Sequence, residues 1–95
     1  MNSPCIVKVI GAASGAIRTP HDGRYVVAWD PHTKFGTLSL TSTNDITQAH
    51  HFPSVGAAMA EWSTISSIQL RRPDGLPNKP LTGLTIATER VDAAA

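Results

Sequence analysis

Gly11-Ala12-Ala13-Ser14-Gly15 directly follows the apolar run Cys5-Ile6-Val7-Lys8-Val9-Ile10. A strand entering a glycine turn is how dinucleotide sites begin. The turn opens a helix whose N-terminal amides hold a pyrophosphate. That chemistry needs a third glycine and a helix long enough to complete a βαβ unit. Here Ile17 stands at the third glycine position, Pro20 falls in what would be the second helical turn, and strand-forming residues resume at Arg24. No useful helix fits, and no Gly-Lys-Ser/Thr occurs anywhere in the chain. Residues 11–23, closing on Pro20-His21-Asp22-Gly23, read as a flexible hairpin connection.

The histidines are His21, His32, His50 and His51. Zinc needs ligands that converge. Adjacent His50 and His51 diverge by about 100° on a helix, and His21 and His32 flank opposite ends of one strand, so all four read as turn or solvent-facing residues. Asp22, Asp30, Asp45, Glu61, Asp74, Glu89 and Asp92 fall mostly in turns and do not form a catalytic pair. No serine sits in a Gly-x-Ser-x-Gly elbow. The expectation is a protein that is not an enzyme, with no catalytic, metal or cofactor-binding residues. Cys5 is the only cysteine, which excludes a disulfide framework and reads as a small buried hydrophobe.

Arg71, Arg72 and Lys79 flank a proline-rich stretch, with Arg18 and Arg24 elsewhere. Such a cluster can contact phosphate, so a nucleic-acid-binding accessory role is the alternative function. Against it, the net charge is +1, and Tyr25, Trp29, Phe35, Phe52 and Trp62 fall mostly at expected core positions rather than on a stacking platform.

The elements that would position these residues are short. Residues 5–10 read as a strand, with Cys5, Val7 and Val9 on one side and much of both faces buried. Residues 24–30 form a second strand with Tyr25, Val27 and Trp29 on its inner face, ended by Asp30-Pro31. Residues 37–41 alternate as a third, with Leu38 and Leu40 inward, and pair with the second as a hairpin. Residues 43–52 suggest a short helical turn capped by Asn44, with Ile46, Ala49 and Phe52 packing on one side. Ser54 caps the main helix over 54–67, whose stripe is Val55, Ala58, Met59, Trp62 and Ile65. Residues 70–83 form an irregular crossover, and 84–91 a last strand with Leu84 and Ile86 on one face. The fold class is α+β: a small antiparallel sheet, in the order β-β-β-α-β, with one main helix packed on one face.

Ninety-five residues fit a single domain, with a frayed tail at 92–95. A content of 41% hydrophobic and 16% charged residues is enough for one modest core. The N-terminus shows no signal-peptide pattern and no apolar run is long enough to span a bilayer. The expected setting is the cytoplasm, with no membrane partner.

Residues 72–86, Arg-Pro-Asp-Gly-Leu-Pro-Asn-Lys-Pro-Leu-Thr-Gly-Leu-Thr-Ile, resemble the C-terminal signature of small uncharacterised proteins common in phages, prophages and proteobacterial genomes. Those read approximately Arg-Pro-Asp-Gly-x-Pro-Asn-Arg-Pro-Leu-Thr-x-x-Thr-Val, so Lys79 and Ile86 depart from the pattern. Upstream, Tyr25-Val26-Val27-Ala28-Trp29-Asp30-Pro31 is similar to the family's tyrosine strand, and the order from Ala49 through Phe52 to Trp62 also matches. The resemblance spans residues 23–88 and is most specific at 72–86. It implies a phage or mobile-element setting in a bacterial host and a compact α+β domain. It implies no catalytic residues.

The physics of the motif adds a function. Pro73-Asp74-Gly75 favours a tight turn, and Pro77 and Pro80 stiffen the residues beyond it. A stiff segment loses little freedom on binding. The expected partner-contact residues are therefore Arg71, Arg72, Asp74, Asn78 and Lys79. The expected partner is a host or phage protein, with an inhibitor of a host defence system, such as an anti-CRISPR protein, as the concrete form. A sheet edge at the first or last strand would also allow a homodimer.

Overall fold

The computed structural model describes residues 3–15 and 18–91. The expected tail at 92–95 and two residues of the 11–23 connection lie outside them. Four strands form one antiparallel sheet: β1 (Cys5–Ala12), β2 (Tyr25–Asp30), β3 (Ser39–Thr43) and β4 (Leu84–Arg90). Their spatial order is β3-β2-β1-β4. One helix, α1 (Val55–Trp62), lies between β3 and β4 in the chain. The α+β architecture is as the sequence indicates. The edges are β3 and β4, however; β1 is interior, because β4 returns along its free side.

β1 runs two residues further than expected. Gly11 pairs with Thr85 and Ala12 with Leu84 after a register shift at Ile10. Gly11 and Ala12 of the glycine stretch are therefore sheet, and Ala13–Gly15 turn, with Gly15 N–H donating to the Ala12 carbonyl at 2.9 Å. On its other side β1 meets β2 only at Lys8 and Tyr25. Residues 50–52 take up the hydrogen bonds that the two strands do not give each other. Cys5 and Phe52 exchange both backbone bonds, at 2.9 and 2.8 Å, and His50 N–H donates to the Val26 carbonyl at 2.9 Å.

The core sits on one face of this sheet. Cys5, Val7, Val9, Val26, Phe52, Ala58, Trp62, Leu81 and Leu84 are buried together, with Trp29, Leu40 and Ile86 packed at the margin. The other face of β1 is sealed only at Ile6; Ile10 is exposed. Burial pushes the Cys5 thiol pKa up. The inner face of β2 differs from the alternation. Val26 is fully buried and Ala28 is exposed, because a bulge between them inserts Val27 as an unpaired residue. One extra residue restores Trp29 to the core side, three positions after Val26. The Trp29 ring lies 4.8 Å from both His50 and Phe52.

Two further elements begin or end differently. Asp45, not Asn44, caps the 3-10 turn at Ile46–Gln48, its carboxylate accepting from Thr47 N–H. The threonine hydroxyl adds a 2.6 Å bond, and these bonds hold the Asp45 carboxyl below its usual pKa. Ser54 caps α1 as expected, but the helix stops at Trp62 rather than residue 67. The Ser63 and Thr64 hydroxyls donate to the Met59 and Ala60 carbonyls at 2.7 and 2.9 Å. Such side chains compete with the helical backbone ladder. Only Ala58 and Trp62 of the expected stripe are buried; Val55, Met59 and Ile65 are exposed. Leu38 likewise lies outside β3 and faces water.

Candidate docking face

The chain between α1 and the 3-10 turn at Pro80–Gly83 is not a simple crossover. Residues 70–78 fold back on themselves. Asn78 N–H donates to the Leu70 carbonyl at 3.0 Å and Arg72 N–H to the Leu76 carbonyl at 2.7 Å, with Arg71 and Pro77 bridged between them. The tip is the turn that Arg72-Pro73-Asp74-Gly75 favours. Gly75 N–H donates to the Arg72 carbonyl at 2.9 Å, and Gly75 takes φ +86°. Proline presets the second turn position and glycine accepts the left-handed fourth, the geometry of a type I turn with a glycine bulge. Asp74 Oδ1 accepts from Leu76 N–H at 3.1 Å.

This strap, residues 63–79, is braced from inside by polar groups. Asn78 is 1% exposed. Its Nδ2 donates to the Thr33 carbonyl at 3.2 Å and the Gln69 carbonyl at 3.0 Å. Ser66 is fully buried, its hydroxyl accepting from Ile68 and Gln69 N–H and its own N–H donating to the Asn78 carbonyl. Side chains also tie the strap to the β2–β3 loop, residues 31–38. Gln69 Oε1 accepts from Phe35 N–H at 2.9 Å, and His32 Nδ1 accepts from Ser67 N–H at 3.0 Å. The Arg72 guanidinium lies over the Phe35 ring at 5.0 Å.

The large apolar side chains of the strap face outward instead. Ile68, Leu70 and Leu76 are each 55–62% exposed, and Ile65 and Phe35 are exposed beside them. Ile65, Leu70, Arg71 and Pro77 line one shallow depression. A second cleft, of about 430 Å³, opens between the strap and the β2–β3 loop; Phe35, Leu38, Arg72, Pro77, Lys79 and Pro80 contribute to its walls.

The five expected contact residues divide. Arg71 is exposed, its Nη1 donating to the Gly75 carbonyl at 2.9 Å. Arg72 pairs with Asp74 at 2.8 Å, with both side chains over a third exposed. An exposed pair of this kind contributes about 0–1 kcal/mol, so it positions the guanidinium more than it stabilises the fold. Lys79 is half-buried and lines the cleft. Asn78 is a correction: buried behind the strap, it holds the face together and does not present itself to a partner. The sequence reading missed Phe35, Leu38, Ile65, Ile68, Leu70 and Leu76. For Ile65, Ile68, Leu70 and Leu76 the signal was a run of large apolar residues, at 65–76, that follows neither a helical nor a strand period; Phe35 and Leu38 lie in another loop and gave none.

The histidines do not converge. His21 Nδ1 bonds the Ser42 hydroxyl at 2.7 Å, His32 braces the strap, and His50 packs edge-on against Trp29 and Phe52. Among the described residues no group of three or more His, Cys, Asp or Glu could hold a metal ion, and no helix is long and apolar enough to cross a membrane. Arg24 is held inside the sheet by Ser42. No protein-family model matches the chain, and neither a curated protein nor a solved structure matches it significantly.

Proposed function

We propose that the protein is a non-enzymatic binding module that docks a host or phage protein on the face formed by residues 31–38 and 63–79. One observation carries the reading: the strap seals two polar side chains, Ser66 and Asn78, while its large apolar ones, Ile65, Ile68, Leu70 and Leu76, are exposed. Water alone favours the reverse arrangement. A contiguous apolar surface rimmed by charge is the signature of a protein contact. Arg71, Arg72 and Lys79 supply the rim, and arginine is enriched where interfaces hold their affinity. The resemblance of residues 72–86 to phage- and prophage-associated proteins supports a mobile-element setting in the cytoplasm of a bacterial host. An inhibitor of a defence system, such as an anti-CRISPR protein, is its concrete form. A homodimer through the β4 edge is compatible with this face, which lies on other segments.

The test is capture of the partner from nuclease-treated host lysate by wild type and by an Ile68→Ser/Leu70→Ser/Leu76→Ser variant. One stoichiometric protein held by wild type and lost by the variant, at unchanged melting temperature, is the expected result. Capture that disappears with nuclease treatment would move the function to nucleic acid. Equal capture by both proteins would remove the face from the function.

A further inference from the structure

The cleft between the strap and the β2–β3 loop carries only positive charge among its described lining residues. Arg72 and Lys79 line it, and among the described residues no carboxylate does. Asp74 engages Arg72 but is not part of the lining. Phe35, Leu38, Pro77 and Pro80 give it apolar wall, beside the threonines Thr19, Thr37 and Thr82. Its volume, about 430 Å³, falls in the range of pockets that accept a few side chains or a small ligand.

The Arg72 guanidinium and the backbone that carries Lys79 are held before anything binds. Arg72 is gripped by the Asp74 ion pair at 2.8 Å, by Phe35 beneath it at 5.0 Å, and by its backbone bonds to Leu76 and Gly75. Lys79 anchors the 3-10 turn, its carbonyl accepting from Thr82 N–H at 3.0 Å and Thr82 Oγ1 at 2.6 Å. Cations on a rigid frame lose little freedom when they meet an anion, and charge-assisted hydrogen bonds are the stronger class. The apolar walls select against a bare, fully hydrated ion. A phosphodiester carries no apolar group to place against Phe35 and Leu38, and the Phe35 ring already carries a guanidinium where a base would stack.

We infer that this cleft reads an acidic–apolar peptide segment of the docked protein, with an Asp or Glu carboxylate against Arg72 and Lys79 and a neighbouring apolar side chain against Phe35, Leu38 and Pro80. The inference rests on the protein-docking reading and names the chemistry of the partner. It uses residues of the docking face other than Ile68, Leu70 and Leu76, so the two can fail separately.

The experiment titrates ¹⁵N-labelled full-length protein with acetyl-Leu-Glu-Phe-amide and with its Gln counterpart, reading amide shifts. The Glu peptide moves Phe35, Leu38, Lys79 and Thr82, and the Gln peptide binds about tenfold more weakly, as the loss of one charge-assisted bond requires. Lys79→Gln removes most of that preference while leaving the fold and the Gln-peptide affinity unchanged. Arg72→Gln does the same; Lys79→Gln alone decides the matter if the Arg72 variant unfolds. Equal binding of the two peptides would overturn the inference, as would shifts elsewhere on the protein or no shifts up to about 10 mM, a limit near 3 kcal/mol of binding. Inorganic phosphate reproducing the same shifts would overturn it too, since the cleft would then be indifferent to the apolar part. None of these outcomes touches capture through the apolar face, which the serine variant decides.

Discussion

In the sheet, Val7, Val9, Val26 and Phe52 are sealed on the covered side, and hydroxyl side chains such as Ser39 and Thr41 face water. In the strap the assignment is inverted: Ser66 and Asn78 are sealed, and Ile68, Leu70 and Leu76 face water. The two regions are held by different forces. The sheet is driven together by apolar area removed from water, which is non-directional and tolerates small shifts. The strap is held by hydrogen bonds, which fix direction and leave its apolar groups unspent. A region built the second way is shaped without being satisfied, and that is what a preformed docking surface requires. The comparison teaches that exposure of these side chains belongs to how the strap is constructed, since its inward positions are already taken by the bonded Ser66 hydroxyl and Asn78 Nδ2; of these two side chains, only Asn78 Oδ1 is buried without a partner.

Deleting the centre of the sheet's core should cost the most. Phe52 is 2% exposed and packs against Trp29, so Phe52→Ala is expected to lose about 3–5 kcal/mol in denaturant unfolding, a large share of what holds a small domain folded. Asn78→Ala probes the other region. It strips the donor from the Thr33 and Gln69 carbonyls and should cost about 2 kcal/mol. It should also disturb shifts in residues 31–38 as well as in the strap, a spread that a core cavity at residue 52 would not give. Gly75→Ala is smaller, about 1 kcal/mol. Nothing lies within 4 Å of the added carbon, so the cost is the left-handed backbone at φ +86° alone. Melting temperatures of the three variants, ranked in this order, check the set.

The smallest effect concerns neither region. Thr19 bonds lower the Asp22 pKa and Thr47 bonds lower that of Asp45. A carboxylate whose folded pKa is depressed adds stability above its unfolded pKa and loses it as pH falls through the folded value. The Asp22→Asn/Asp45→Asn variant should therefore lose less melting temperature than wild type as pH falls from about 5 through the ordinary carboxylate range near 4 and below it. Parallel acid limbs for the two proteins would show that these bonds do not couple to folding.

What the sequence made legible is local. β-branched runs mark β1, β2 and β4; Ser54 marks the start of α1; Pro73-Asp74-Gly75 marks the strap's turn. Each is decided by residues within a few positions. The features that escaped are decided at long range or by one inserted residue. The bulge at Val27 turns Val26 to the core side while Ala28 stays outward, and a period-two reading has no means to see it. Asn78 looks like a surface residue in a proline-rich loop, yet its partner carbonyl at Thr33 lies 45 residues away. Ile65 continues the apolar spacing of α1, but Ser63 and Thr64 end the helix first. For the site, Arg71, Arg72 and Lys79 were legible as cations on a stiff segment. The cleft was not, because Phe35 and Leu38 come from another loop.

The central claim is that the strap is rigid because polar groups brace it from within. Native-state hydrogen exchange at the Ser66, Arg72 and Asn78 amides, in wild type and in Asn78→Ala, tests it most directly. These amides donate within the strap at 2.9, 2.7 and 3.0 Å. The account predicts clear protection in wild type and its selective loss in the variant, while amides of β1 and β4 stay protected. Strap amides of wild type that exchange as fast as a free chain, or protection that survives Asn78→Ala, would contradict it.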